Sequence, residues 1–268
     1  MKRPNDKPVL IDLFCKAGGC TKGYQRAGFY VVGVDNEPQP NYCGDEFYQA
    51  DAFNFLADHW QEFDAIHASP PCQKYTGMRN ITISRFGSCS IDHPDLIEPT
   101  RQALQTTGLP YIIENVQNSP LKTTAIVCGA SLGLKHVSRH RHFESNFFFF
   151  APKCSCRKEE YTIGVYGQRP DGRRVSYKKN RLCRIAKSLD EAQKLLQIDW
   201  MTWDEIKNAI PPVYTEYLGI QLMNVCFRVA GHNKSLHWTS GDSPARNELS
   251  YPGLFLAQEA LAVPPTRQ

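Results

Sequence analysis

A chain of 268 residues is long enough for one large α/β domain, or one domain with a small insert, and it can bury a full core without disulfides or metal. Apolar residues at 41% and charged residues at 22% exclude a disordered, collagen-like or coiled-coil chain. No run reaches the roughly 18 apolar residues of a membrane span, and the start MKRPNDKPVLIDLF has no signal-peptide core, so no membrane association is expected. Ten cysteines without framework spacing suit a reducing cytoplasm. The net charge of +4 says little until its distribution is read.

Along the chain, Val9–Phe14 is a short apolar run ending in a Gly-rich turn, and Thr21–Ala27 fits a short helix closed by Gly28. Tyr30–Val34 reads as a second buried strand ending at Asp35. Phe63–Ala68 ends at Ser69-Pro70-Pro71, and Tyr111–Ile113 ends at Glu114-Asn115, with a helix expected over Pro94–Thr107 between them. Continuous apolar strands separated by helices predict a mostly parallel, doubly wound α/β sheet. Asp35, Cys72 and Glu114 all follow strand ends, the edge where such sheets bind ligands.

Beyond residue 144 the pattern changes. Phe147–Phe150 is strand-like, and residues 153–187 carry eleven Lys/Arg against three acids. That block is +8, leaving the rest of the chain at −4, as expected of a polyanion-binding appendage on a slightly acidic body. Helical spacing returns at Leu189–Leu196 and Val213–Met223, and a polar Pro/Gly/Ser-rich tail follows Gly231. The division expected is a core over 1–143, a small basic recognition region over 144–197, a return segment over 198–230 and an extension over 231–268.

Four elements carry chemistry. Gly18-Gly19-x-x-x-Gly23 lacks the Gly-x-Gly-x-x-Gly spacing for a pyrophosphate, which favours an adenosyl ligand without phosphates, with Asp35 placed for ribose and Asp51 for an adenine amino group. Ser69-Pro70-Pro71-Cys72 fixes the backbone before a thiol. Glu114 ends an apolar strand. Arg139-His140-Arg141-His142 leads into another strand.

In this order, Asp12-Leu13-Phe14-Cys15 with Gly18-Gly19, Pro71-Cys72-Gln73, Glu114-Asn115-Val116, Arg139-x-Arg141 and Asn208-Ala209-Ile210-Pro211 resemble the motifs of the cytosine-C5 DNA methyltransferases, over roughly residues 8–222. The resemblance implies a Rossmann-like S-adenosylmethionine-dependent methyltransferase fold of the phage or bacterial type, in a bacterial or phage-infected cell, with a short target-recognition region where the basic block lies. It implies S-adenosyl-L-methionine as cofactor, double-stranded DNA containing cytosine as partner, and a monomer. Cys72 resembles the nucleophile that adds to carbon 6 of a flipped cytosine, Glu114 the group at ring nitrogen 3, Arg141 the holder of the base carbonyl and Arg139 a support of the catalytic loop. The implied cofactor set is Phe14, Gly18, Gly19, Asp35, Asn36, Asp51, Ala52, Pro70 and Asn208. Phosphate contacts are expected from Arg79 and Arg85 on a loop over Gln73–Ser90, and from Arg169, Arg173, Arg174, Lys178 and Lys179 in the basic region.

The sequence departs from that pattern at Lys16 and Lys207, where the family has glycine, and at Val137. A lysine facing the cofactor's sulfonium end would favour a carboxylated analogue; the alternative is a solvent-facing substitution. Cys154, Cys156, Cys183, His136, His140 and His142 provide ligand types for zinc, but without a Cys-x-x-Cys pair no metal is expected. An RNA substrate and a catalytically silent DNA binder are the other readings; the thiol, acid and arginine together argue against the silent binder. A dCMP hydroxymethylase would also use a cysteine, but without this cofactor turn.

Overall fold

The computed structural model describes residues 7–75, 94–122, 125–156, 161–176 and 182–229. A seven-stranded sheet forms from β1 (Val9–Leu13), β2 (Tyr30–Asp35), β3 (Glu46–Gln49), β4 (Ala65–Ala68), β5 (Tyr111–Asn115), β6 (Ala125–Cys128) and β7 (His140–Ser145). Its order is β3-β2-β1-β4-β5-β7-β6. β1 to β5 pair in parallel, whereas β7 runs antiparallel between β5 and β6. This is a doubly wound, Rossmann-like sheet. The central strands are mostly apolar and buried because both faces are covered.

The helices are α1 (Gly19–Arg26), α2 (Ala52–His59), α3 (Ile97–Thr107), α4 (Leu189–Leu196), α5 (Trp203–Ile206) and α6 (Pro212–Val229). α1 begins two residues before the expected start, because Gly18 adopts a left-handed cap (φ 85°) that lets the turn close early. α3 begins at Ile97 rather than Pro94, with Asp95 Oδ1 accepting from the Ile97 N–H.

Glycine spacing in the first turn is a packing device. A Cβ on Gly23 would lie 2.0 Å from Thr215 Oγ1 and 2.1 Å from the Pro212 carbonyl oxygen, and one on Gly19 would lie 2.5 Å from that of Ile210. α1 therefore lies flush against the start of α6, and the two glycines on one face of α1 permit it.

Phe147–Phe150, expected as strand-like, is not a strand. The β5–β7 ladder ends at Ile112 and Ser145, and Asn146 then stops it with its side chain, Oδ1 accepting from the Tyr111 N–H (2.9 Å) and Nδ2 donating to the Leu109 carbonyl (2.8 Å). The Gln221 amide of α6 holds Phe150 instead, through its N–H and its carbonyl. A second sheet, β8 (Tyr161–Gly164), β10 (Leu182–Ile185) and β9 (Arg174–Ser176), forms within the basic stretch. Arg184 anchors it to α4 through a bidentate contact with Glu191 (2.8 and 2.5 Å). No helix among the described residues is long and apolar enough to cross a membrane.

Candidate active site

Three elements converge where the parallel strands end. β4 delivers the Ser69–Cys72 turn, β5 delivers Glu114, and β7, running antiparallel, begins at the same edge with Arg139 and Arg141. Asn115 locks the turn to β5, donating from Nδ2 to the Pro70 carbonyl (2.9 Å). Pro70 is buried and Cys72 half-buried.

Glu114 is 5% exposed. Arg141 Nε stands 3.0 Å from its Oε1, yet out of line for a hydrogen bond, so this buried oxygen has a neighbouring charge and no donor. Burial raises the Glu114 carboxyl above the ordinary glutamate range, with Arg141 pulling the other way. The Cys72 thiol is raised too, first by burial and then by Glu114, while Arg141 opposes them. These shifts make Cys72, Glu114 and Arg141 electrostatic neighbours, although 69 residues separate the first from the last.

Behind them lies a buried relay absent from the sequence reading. The Tyr24 hydroxyl meets His67 Nδ1 (2.9 Å) and His67 Nε2 meets Ser69 Oγ (3.0 Å); Ser69 in turn hydrogen-bonds Glu114. Burial pushes the imidazole down to about 3, so it is neutral. A lone histidine in the apolar run Ala65–Ala68 was the available signal.

Arg139 is a brace. Its guanidinium donates to the carbonyls of Val165 (2.8 Å), Lys207 (3.0 Å) and Ala209, joining the start of β7 to the small sheet and the return segment. Its expected role on the catalytic loop involves residues outside those described. The return segment is also stitched to the first turn: Trp200 Nε1 donates to the Ala17 carbonyl (2.8 Å), and Asn41 Nδ2 to Glu205 (3.1 Å to each oxygen).

Around the mouth of β1 and β2, Phe14 sits edge-on to Phe53 (6.0 Å, 72°). Asp35, expected at the ribose, is 2% exposed and already bonded to the backbone N–H groups of Lys16 and Glu37 (3.1 Å each). It shapes the turn, in which Lys16 takes φ 47°; the carboxylate facing solvent there is Glu37, beside the exposed Asn36. Gly18 and Gly19 present their Cα sides to Cys43 Sγ and to Ile210, which leaves only backbone for a ligand. Asp51 caps α2 through Oδ1, accepting from Phe53 and Asn54, and its Oδ2 has no donor among the described residues. Ala52 is buried as the first residue of α2, and Asn208 is exposed, its Nδ2 donating to the Asp204 carbonyl.

Lys16 Nζ lies 3.0 Å from Glu37 and 3.5 Å from Asp35, and Lys207 Nζ 2.5 Å from Asp204. In the basic region Arg169, Arg173 and Arg174 are exposed, Arg173 being 3.5 Å from Asp171. Arg79, Arg85, Lys178 and Lys179 lie outside the described residues.

No family model and no curated protein matches the chain. Among solved structures, a prophage-encoded Escherichia coli protein described as a DNA modification methyltransferase is similar at 17% identity, over 81% of this chain and 99% of that one, with a TM-score of 0.49. The S. pombe Dnmt2 methyltransferase is similar at 13% identity, over 82% and 99%, with a TM-score of 0.48.

Proposed function

We propose that the chain is an S-adenosylmethionine-dependent DNA (cytosine-5-)-methyltransferase. The observation that carries this reading is the Glu114 oxygen, buried, charged by Arg141 and lacking a hydrogen-bond donor, beside a thiol on a proline-fixed turn. A buried acceptor without a donor costs about 1–3 kcal/mol, a cost that a ligand offering a donor removes. A flipped cytosine offers donors on its Watson–Crick edge, and only an extruded base reaches such a rim.

The cofactor residues fit an adenosyl ligand in modified form. Phe14 supplies an aromatic face, Glu37 in place of Asp35 an exposed acceptor for sugar hydroxyls, and Asp51 Oδ2 an acceptor for an amino group. When bound, the cofactor supplies an electrophilic methyl group. Everything else falls to the chain: Cys72 gives its proton to solvent and the thiolate adds to carbon 6, Glu114 hydrogen-bonds ring nitrogen 3 as charge develops there, and Arg141 holds the ring carbonyl. Once carbon 5 is methylated its proton is lost to solvent and the Cys72–carbon 6 bond breaks, which restores the ring and the thiolate. A thiol raised in the resting site is unreactive until base and counter-charge arrive, which guards it against unproductive attack.

Arg169, Arg173 and Arg174 are exposed on the small sheet and its connections, where phosphate contacts would offset the cost of extrusion. Of the two departing lysines, Lys16 pairs with Glu37 and Asp35 and Lys207 with Asp204. The test is incubation with labelled S-adenosylmethionine and, separately, mixed-sequence duplex DNA, tRNA and dCMP, followed by bisulfite sequencing of the DNA. Label in duplex DNA at cytosine carbon 5 is expected; label in tRNA alone, or in none, rejects the proposal.

A further inference from the structure

A second cluster lies apart from the thiol site. Cys128 closes β6 and His140 opens β7, and the two are direct partners in the antiparallel ladder. Cys154 and Cys156 come back onto that pair from the segment after β7. His140 Nε2 is 3.3 Å from Cys154 Sγ and 3.8 Å from Cys156 Sγ, and the two sulfurs are 3.3 Å apart. All four donor atoms fall within 4.8 Å of one another.

We propose that Cys128, His140, Cys154 and Cys156 form a structural zinc site. Tetrahedral zinc with Zn–S of about 2.3 Å and Zn–N of about 2.0 Å places its ligands roughly 3.5–3.8 Å apart, close to the separations found. Three thiolates and one imidazole form a closed ligand set, which leaves no position for a substrate. Binding releases one proton from each thiol to solvent, and no electron moves. Cys128 and Cys156 are buried while Cys154 is exposed, so the site is reachable yet mostly enclosed by protein.

The site has a mechanical role. His140 opens β7 between Arg139 and Arg141, and side chains alternate along a strand, so a ligand at His140 holds the strand end that carries Arg141 on the other face. The same ion ties down the segment that leads from the core sheet to the small sheet, which is otherwise irregular between Ala151 and Ser155. Sequence spacing could not reveal this set, since Cys-x-Cys is a poor pair alone and the remaining ligands come from the β6–β7 register. Cys183, expected among the candidate ligands, contacts Tyr166 instead, and His136 stacks on Tyr161 (4.0 Å).

The full chain, purified without chelator, is expected to contain one zinc per molecule by elemental mass spectrometry. Exchange with cobalt(II) should give thiolate-to-metal charge transfer and the visible bands of a tetrahedral site. Cys154→Ser with Cys156→Ser should lose the metal, whereas Cys183→Ser should keep it. The proposal is overturned if the wild-type protein neither holds zinc nor takes up cobalt with thiolate bands. It is equally overturned by a Cys154–Cys156 disulfide in anaerobically purified protein, or by full zinc content in the double variant. The wild-type measurements stand even if the double variant fails to fold.

Discussion

At the scale of single residues, the site separates bond-making from orientation. Cys72→Ser should abolish turnover and leave cofactor binding intact, whereas Asp51→Ala should weaken cofactor binding first, by roughly 10-fold for one lost hydrogen bond; calorimetry and a labelled-methyl assay distinguish the two. Glu114→Gln keeps the shape but removes the carboxyl that can carry a proton to ring nitrogen 3, and rate should fall at least ~100-fold with little change in folding. Full activity in that variant would remove Glu114 from the chemistry. Cys72, Glu114 and Arg141 were legible because strand ends and prolines advertise them. Asp35 marks the limit of the pattern, because an acid at a strand end reads the same whether it faces a ligand or accepts, as here, from two backbone amides.

Elements show where packing overrules pattern. Gly23→Ala should force α1 away from α6, because the added methyl would fall 2.0 Å from Thr215 Oγ1; a loss of about 1–3 kcal/mol in urea denaturation is expected. Stability equal to that of the parent would mean the helices slide freely. On the opposite side of the sheet, Arg101 of α3 makes a buried bidentate pair with Glu144 of β7 (2.5 and 2.7 Å) and reaches the Pro120 carbonyl. Arg101→Ala leaves a buried carboxylate uncompensated, which should cost roughly 3–5 kcal/mol, far more than any exposed arginine. β1, β2, β4 and β5 were legible as apolar runs, but β3 and β6 were not: they are four-residue sheet edges, β3 with polar ends and partly exposed, β6 apolar but too short to show a period. The strands of the small sheet have three or four residues each, too few for a period to show.

For the whole molecule, two buried groups set opposing pH trends. Burial pushes the Asp12 carboxyl up to about 7 and the His67 imidazole down to about 3. In the unfolded chain they titrate near ~3.9 and ~6.5. Between about pH 4 and 6.5 the folded state holds a proton on Asp12 that the unfolded state has lost, and lacks one on His67 that the unfolded state has gained. Asp12 therefore makes stability fall with rising pH, and His67 makes it rise. Removing the imidazole as His67→Gln should tilt the stability profile downward with rising pH relative to the parent, by up to ~1.4 kcal/mol per unit. Denaturation midpoints at stepped pH measure this, and parallel profiles would show that His67 titrates as in water.

The direction of β7 has a consequence for how such a molecule can diversify. Strands β1 to β5 all end at the edge of the sheet that carries the thiol, but β7 starts there, so Ser145 leaves the sheet at the far margin. Chain added beyond Ser145 thus grows from a point remote from the reactive rim, while two neighbouring strands grip the arginine-bearing end. Successive versions of the appendage could be exchanged there, one for another, with the machinery of transfer left in register.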